Sequence, residues 1–161
     1  MKLKLLGLFF AFVTAAHGAS IATGKSPSST LQPAAQEIRA AQMATEVLSR
    51  FHYKAVPVDE SLSSKILDQY LKALDPEKLY FTQADIDQFS DARTKLGVEM
   101  QNGDIGRPFA IFNLYVKRAS ERFTYARGLL KTGFSFDRAE SYQFARDKQA
   151  WAPTESDALE L

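Results

Sequence analysis

The sequence predicts a mainly α-helical protein, a small bundle of about four to five helices. Apolar residues recur at intervals of three or four through four separate segments, and the short connections between them carry helix-capping and turn residues. Such connections place consecutive helices antiparallel, which favours a bundle. The chain has 161 residues, of which 45% are hydrophobic and 24% are charged, so we expect one domain with its own core.

Residues 1–18 are predicted to be a secretory signal peptide. Lys2 and Lys4 precede an apolar run, and small residues follow it up to a cleavage position near Gly18. A membrane-spanning helix would need roughly 20 apolar residues. Thr14 and His17 interrupt this run too early, so stable membrane insertion is not expected after cleavage. Residues 19–33 are rich in Ser, Thr, Gly and Pro and are predicted to form a flexible leader before the domain at residues 34–161.

The first two predicted helices follow this leader. Helix one starts near Pro33. Its apolar stripe includes Ile38, Ala41, Thr45, Leu48 and His52. Helix two begins after Asp59, whose side chain can accept hydrogen bonds from the first free N–H groups. It ends at Leu74, because Asp75 precedes Pro76 and a residue before proline is driven out of the helical conformation.

Two longer helices are predicted next. Thr82 and Asp85 have the spacing of a capping box, and the period of three and four then continues to Met100. This predicts one third helix that stops near Asn102 and Gly103. Pro108 suits the first turn of a fourth helix, and Gly133 ends it. The fourth helix has one apolar face made of Phe112, Tyr115, Ala119, Phe123, Ala126 and Leu130.

The sequence after Gly133 loses the helical period. Its large apolar residues are Phe134, Phe136, Tyr142, Phe144 and Trp151. We expect extended segments that lie across the bundle, with room for one short hairpin. Residues Thr154 to Leu161 have the pattern of the first turns of another helix.

Composition excludes several classes of function. The 20 basic and 19 acidic residues leave the chain near neutral, which gives no electrostatic reason to expect nucleic acid as a partner. The chain has no cysteine, so thiol chemistry, Cys-based metal sites and a lipid anchor on cysteine are excluded. His17 belongs to the predicted signal peptide, and His52 stands alone without a second ligand at a zinc-binding spacing. No cofactor is expected.

The polar residues also fail to form a catalytic pattern. Ser61, Ser63, Ser64 and Lys65 lie on the opening turns of an amphipathic helix, where hydroxyl groups cap the helix or face solvent. Neither a Ser-x-x-Lys nor a Gly-x-Ser-x-Gly spacing occurs. Asp85 lies two residues before Asp87, so on a helix the two carboxylates point in different directions and cannot act as a coupled acid and base.

Three stretches of the chain resemble a known family. Residues 51–89 read FHYKAVPVDESLSSKILDQYLKALDPEKLYFTQADIDQF, residues 109–130 read FAIFNLYVKRASERFTYARGLL, and the chain ends in RDKQAWAPTESDALEL. Together they resemble the N-terminal domain of the tail-specific proteases, also called carboxy-terminal processing proteases. In that family this helical region precedes a PDZ-like domain, a serine protease domain with a Ser/Lys dyad, and a C-terminal helical domain, which together degrade periplasmic proteins from their C-termini.

The resemblance implies a periplasmic, non-catalytic scaffold domain that helps to dock adaptors. The dyad residues have no matching positions in this chain, so no proteolysis is expected from it alone. We expect a polypeptide truncated before the PDZ and protease domains, whose partners are that PDZ/protease portion in cis or in trans, a lipoprotein adaptor and protein substrates. The alternative is an autonomous periplasmic adaptor or binding protein, and a hidden hydrolase is a distant third.

A candidate docking surface is predicted from basic and aromatic residues. It comprises Lys117, Arg118, Arg122, Tyr142 and Trp151. Basic residues in the fourth helix give it a cationic side, and aromatic residues in connections can anchor interfaces. The plainer interpretation is also open: a solvated, partly ion-paired helix face, with the aromatic residues contributing to the core.

Overall fold

Six helices form the fold in the computed structural model, which describes residues 30–54, 56–135, 137, 139 and 141–161. They are α1 Ala35–Phe51, α2 Glu60–Leu74, α3 Gln83–Asp87, α4 Ala92–Gln101, α5 Gly106–Thr132 and α6 Glu155–Leu159. The described residues contain no strand, and an isolated parallel bridge joins Thr82 to Ala152. The mainly α prediction is therefore confirmed. The predicted signal peptide and most of the leader lie outside the described residues.

The core lies between α2, α3, α4 and the first half of α5. Its buried members are Leu67, Leu71, Phe81, Ile86, Ala92, Leu96 and Ile111. In α2 the buried residues recur every four positions with polar residues between them, as predicted. One face of α2 is therefore buried and the other is in water. Trp151 packs against this cluster from the C-terminal stretch. No helix in the described part is long and apolar enough to cross a membrane.

A serine and a glycine allow α2 and α4 to approach closely. Ser63 is fully buried; its Oγ donates to the Asp59 carbonyl at 2.9 Å and accepts from the Gly97 N–H at 3.0 Å. A Cβ on Gly97 would lie 2.9 Å from both Ser63 Oγ and Val58 Cγ1. The Asp59 side chain caps α2 as predicted, accepting from Leu62 N–H at 2.9 Å. Ser63 is thus part of the packing between the helices.

Asp75 builds the connection between α2 and α3. Its carboxylate is 1% exposed and accepts from the backbone N–H groups of Leu79, Tyr80 and Phe81 at 2.8, 2.9 and 3.0 Å. Lys78, just before them, has a φ of 54°, in the left-handed region. Pro76 ends α2 as predicted, and the buried carboxylate then supplies the hydrogen bonds that no helix or sheet provides there.

The prediction of one continuous third helix is wrong. The chain instead forms α3 and α4, joined by residues 88–91. Backbone N–H groups in this joint bond to carbonyls three residues earlier, as in Phe89 to Ile86 at 3.1 Å and Ala92 to Phe89 at 3.0 Å. This tighter, 3₁₀-type bonding interrupts the α-helix while Phe89 still packs on the core.

The outer helices are less buried than their sequence pattern predicts. α1 has no buried residue, and α5 buries only Ile111 fully. The predicted apolar face of α5 continues in sequence, yet Phe123 is 54% and Leu130 69% exposed. The described part of the C-terminal stretch also leaves Phe144 83% exposed and contains no strand of the anticipated hairpin; Phe136 lies outside the described residues. The short helix after Thr154 is confirmed.

Replacing Gly97 with alanine should destabilise the protein although alanine is the better helix former. We expect the free energy of unfolding to fall by about 1–3 kcal/mol, because the new methyl group overpacks the contact with Ser63 and Val58. Gly128→Ala is the matched control: it lies in α5 with nothing within 4 Å of its Cβ, and should stabilise by about 0.5–1 kcal/mol. Urea denaturation measures both. Equal effects of the two substitutions would contradict this account of the helix contact.

Candidate docking site

A bidentate ion pair joins α3 to α5. Arg118 Nε donates to Asp85 Oδ2 at 2.9 Å and Arg118 Nη2 to Oδ1 at 2.8 Å. The side chains are 13% and 5% exposed, so the pair lies largely out of water. Asp85 also completes the predicted capping box with Thr82: Thr82 N–H donates to Oδ2 at 3.0 Å and Asp85 N–H to Thr82 Oγ1 at 3.1 Å.

The same region of α5 holds α6. Arg118 Nη1 donates to Glu121 Oε2 at 3.1 Å and to Glu155 Oε1 in the first turn of α6. Arg122 donates to the carbonyl of Ala158 near the end of α6, where carbonyl groups lack helical partners. The α6 helix therefore meets a cation at each end. We call the set Asp85, Arg118, Arg122 and Glu155 the clamp.

Further contacts fix the chain just before α6. The Gln83 N–H donates to the Ala152 carbonyl at 2.8 Å, beside the parallel bridge. Trp151 meets Phe81 edge-on, with ring centroids 6.0 Å apart. Lys78 donates to the Gln149 carbonyl and lies 5.4 Å from the centre of the Trp151 ring. The left-handed conformation of Lys78 belongs to the turn that brings its side chain here.

The electrostatics of the clamp favour its charged form. Burial alone raises the pKa of Asp85, but hydrogen bonds from Arg118 and Thr82 and the charge of Arg118 outweigh burial and hold this pKa below its ordinary value of 3.8. The hydrogen bond with Asp85 raises the pKa of Arg118 above its usual range, against the opposing effect of burial. Both groups are ionised at neutral pH, as a bidentate pair requires.

The five predicted docking residues fall into two groups. Arg118, Arg122 and Trp151 are part of the internal attachment of the C-terminal segment. Lys117 and Tyr142 face solvent: Lys117 is 64% exposed on its side chain, 3.9 Å from Glu121, and Tyr142 is 44% exposed. That these residues dock a partner stays a prediction.

Sequence reasoning missed the partners of the arginines. Asp85 was recognised as a cap, but its pairing with Arg118 spans 33 positions and has no local signature. Glu155 and Lys78 were not singled out. The available signal was an acidic residue in a capping box at the start of a helix, because such a carboxylate is held in place and can accept further hydrogen bonds.

A second feature of the domain is an apolar groove. It is lined by α1, α2, α4 and the α1–α2 connection and has a volume of about 430 Å³. Its apolar lining includes Ala44, Leu48, Val56, Leu62, Ile66 and Met100. His52 and Lys54 lie at its edge and are exposed. The residues of the apolar stripe predicted for helix one differ in burial. Ile38, Ala41 and Thr45 are half-buried, while Leu48 and His52 are exposed.

A smaller pocket of about 290 Å³ lies beside the clamp, between α5 and α6. Tyr80, Tyr125 and Leu159 contribute to its wall. Within the described residues no group of three or more His, Asp or Glu side chains is placed to hold a metal ion.

Comparison with known proteins connects this fold to one family. The family described as "Tail specific protease N-terminal domain" matches residues 44–161. The chain is also 36% identical over 123 residues to the "Tail-specific protease" of Haemophilus influenzae (strain ATCC 51907 / DSM 11121 / KW20 / Rd). That alignment covers 76% of this chain and 18% of the relative, so the matched part is less than a fifth of that protein.

The contribution of Asp85 to stability should depend on pH. Because its folded-state pKa lies below 3.8, the ion pair stabilises the fold above that value, and this stabilisation is lost as the pH falls through 3.8 toward the folded-state pKa. We expect Asp85→Asn to lower the free energy of unfolding by about 3 kcal/mol at neutral pH, because it leaves Arg118 partly buried without its anion.

Urea denaturation at a series of pH values measures this difference, which should shrink on acidification. Asp87→Asn is the matched control: its exposed carboxylate accepts a hydrogen bond from Gln83 at 2.8 Å on the surface, so a small effect is expected. A difference between the parent and Asp85→Asn that is unchanged well below pH 3.8 would show that the carboxylate charge does not stabilise the fold.

Proposed function

Because this chain belongs to the family of tail-specific protease N-terminal domains, we propose that it is a non-catalytic scaffold and docking domain of a periplasmic tail-specific serine protease. The observation that carries the proposal is the family match across residues 44–161, together with a relative of which the alignment covers 18%. In a protease of which this region is less than a fifth, the cleavage of proteins from their C-termini would be carried out by the polypeptide outside the matched region. The region described here then organises the protein around that activity.

The clamp supports a positioning role. It ties α6 to α3 and α5 through Arg118 and Arg122, and Trp151 packs on the core cluster just before it. In a longer polypeptide, whatever follows Leu161 leaves the domain in a direction set by these contacts. A buried, bidentate pair holds that direction better than a flexible lysine contact would, because the guanidinium fixes both distance and plane.

The proposed partners are the PDZ/protease portion, in cis or in trans, a lipoprotein adaptor and protein substrates. Exposed Lys117, next to Arg118 in α5, offers a cation for such contacts, and exposed Tyr142 offers an aromatic ring. The predicted export signal agrees with action in the periplasm, where substrates would be met.

Binding in trans tests the scaffold proposal. The chain is mixed with the Haemophilus relative's polypeptide lacking the aligned region, and association is measured by calorimetry. We expect binding, and Arg118→Lys should weaken it about tenfold because lysine cannot pair bidentately with Asp85 while also holding Glu155 of α6. Arg127→Lys, on the exposed side of α5, is the matched control and should bind like the parent. No association of the parent chain at high micromolar concentration would refute docking.

A second assay addresses catalysis. Incubated with an unfolded protein substrate and with a serine-reactive probe, the chain alone should neither cleave nor be labelled. Labelling of a serine in the folded chain, lost on substitution of that serine, would contradict the non-catalytic role.

An autonomous adaptor is the second candidate, and the apolar groove favours it. A concave apolar surface of about 430 Å³ is in the range of ligand and peptide sites, and helices commonly dock into such grooves. One variant distinguishes the two candidates: Leu62→Lys at the groove should abolish partner binding by an adaptor, whereas docking on the side of α5 and α6 should survive it.

A further inference from the structure

Helix α1 presents an apolar stripe to solvent. The outer stripe, defined as Ala40, Met43, Val47 and Phe51, repeats at intervals of three or four and therefore lies along one side of the helix. Met43 is 67% exposed, Val47 48% and Phe51 76%. These side chains point away from α4 and lie on the side of α1 next to the groove wall formed by Ala44 and Leu48.

The inner side attaches α1 to the bundle with little burial. Ile38, Ala41 and Thr45 are half-buried there, and no residue of the 17-residue helix is buried. A helix of this length is marginal by itself in water, because helices in proteins gain most of their stability by burying an apolar face. A partner that covers the outer stripe would therefore stabilise α1 as well as bury apolar surface.

One edge of the outer stripe carries charges that complement themselves. Arg39 and Glu46 are seven residues apart, so they lie on the same edge, two turns from each other. Glu46 Oε1 contacts Arg50 Nη1 at 2.9 Å within the helix, and both side chains are more than half exposed. From its N-terminal to its C-terminal end, this edge therefore carries a basic residue, an acidic residue and a second basic residue: Arg39, Glu46 and Arg50.

This charge order selects one way of pairing two copies. In an antiparallel pair about a two-fold axis near Met43, like edges face each other, so Arg39 of one copy lies beside Glu46 of the second copy. In a parallel pair the charged edge would instead meet the edge with Glu37, Ala44 and Phe51, where the Glu37 carboxylate already accepts from the Ala34 N–H of its own helix and Glu46 faces no opposite charge. Ala40 on both helices allows close approach near the axis.

We propose that two copies of this chain associate through α1, as an antiparallel, two-fold symmetric helix pair centred on Met43. Each Arg39 then pairs with Glu46 of the second copy, and each Phe51 covers the N-terminal half of the facing helix. α1 is about 25 Å long. One such helix pair buries roughly 1,000 Å² in total, at the low end of specific interfaces, so the dimer is weak and concentration-dependent. This inference is independent of the proposed protease role.

Sedimentation velocity on the exported, purified chain tests the dimer. Between about 5 and 500 µM the weight-average mass should rise from that of a monomer toward that of a dimer. Arg39→Glu and Glu46→Arg should each weaken association about tenfold, since like charges then face each other, and the double variant R39E/E46R should restore the parent affinity to within about twofold. Met43→Lys should abolish association, and its 67% exposed position leaves the fold intact.

Arg127→Glu is the matched charge reversal away from α1 and should associate like the parent. Circular dichroism of each variant confirms that helix content is unchanged. A monomer mass at all concentrations would overturn the proposal and leave the outer stripe to a segment of a longer polypeptide. Association that survives Met43→Lys, or a double variant weaker than either single one, would overturn the antiparallel α1 interface.

Discussion

The ion pair between Asp85 and Arg118 is the interaction on which the arrangement of the C-terminal half depends. Asp85 is fixed first by its own helix, because its carboxylate closes the capping box with Thr82. Arg118 then approaches from α5 and also reaches Glu155 on α6. One buried carboxylate and the arginine that it holds thus connect three helices, α3, α5 and α6. Separating the two side chains would leave a charge buried without its partner, so the pair penalises any arrangement that moves α5 away from α3.

Local signals in the sequence predicted the ends of the helices well. Asp59 caps α2, Pro76 ends it, Thr82 caps α3, and Gly133, with a φ of 77°, ends α5. Each of these depends on the conformational preference of one or two residues and needs no knowledge of the rest of the fold. The same reasoning could not find the break after Asp87, because Phe89 keeps the apolar spacing while the backbone bonding changes beneath it.

Burial and partner choice were harder to predict than helix position. The apolar face of α5 continues in sequence to Leu130, yet every residue of the helix from Phe123 onward is exposed in the described part of the chain. Arg118 and Lys117 are adjacent cations of similar pattern, and only the fold decides that one is 13% and the other 64% exposed. Periodicity shows which side of a helix is apolar, but the number of elements around that helix decides how much is covered. That is why the predicted docking residues divided into an internal and an external group.

The 27 residues of α5 have a mechanical consequence. The helix is anchored in the core at Ile111 and held at Arg118 and Arg122, while every one of its residues beyond Arg122 is exposed. This exposed part, from Arg122 to Thr132, extends about 15 Å. A rotation of about 10° at Arg122 would move its far end by roughly 3 Å. Because α6 is bonded to Arg122 itself, such a rotation would carry the tip of α5 and leave α6 in place.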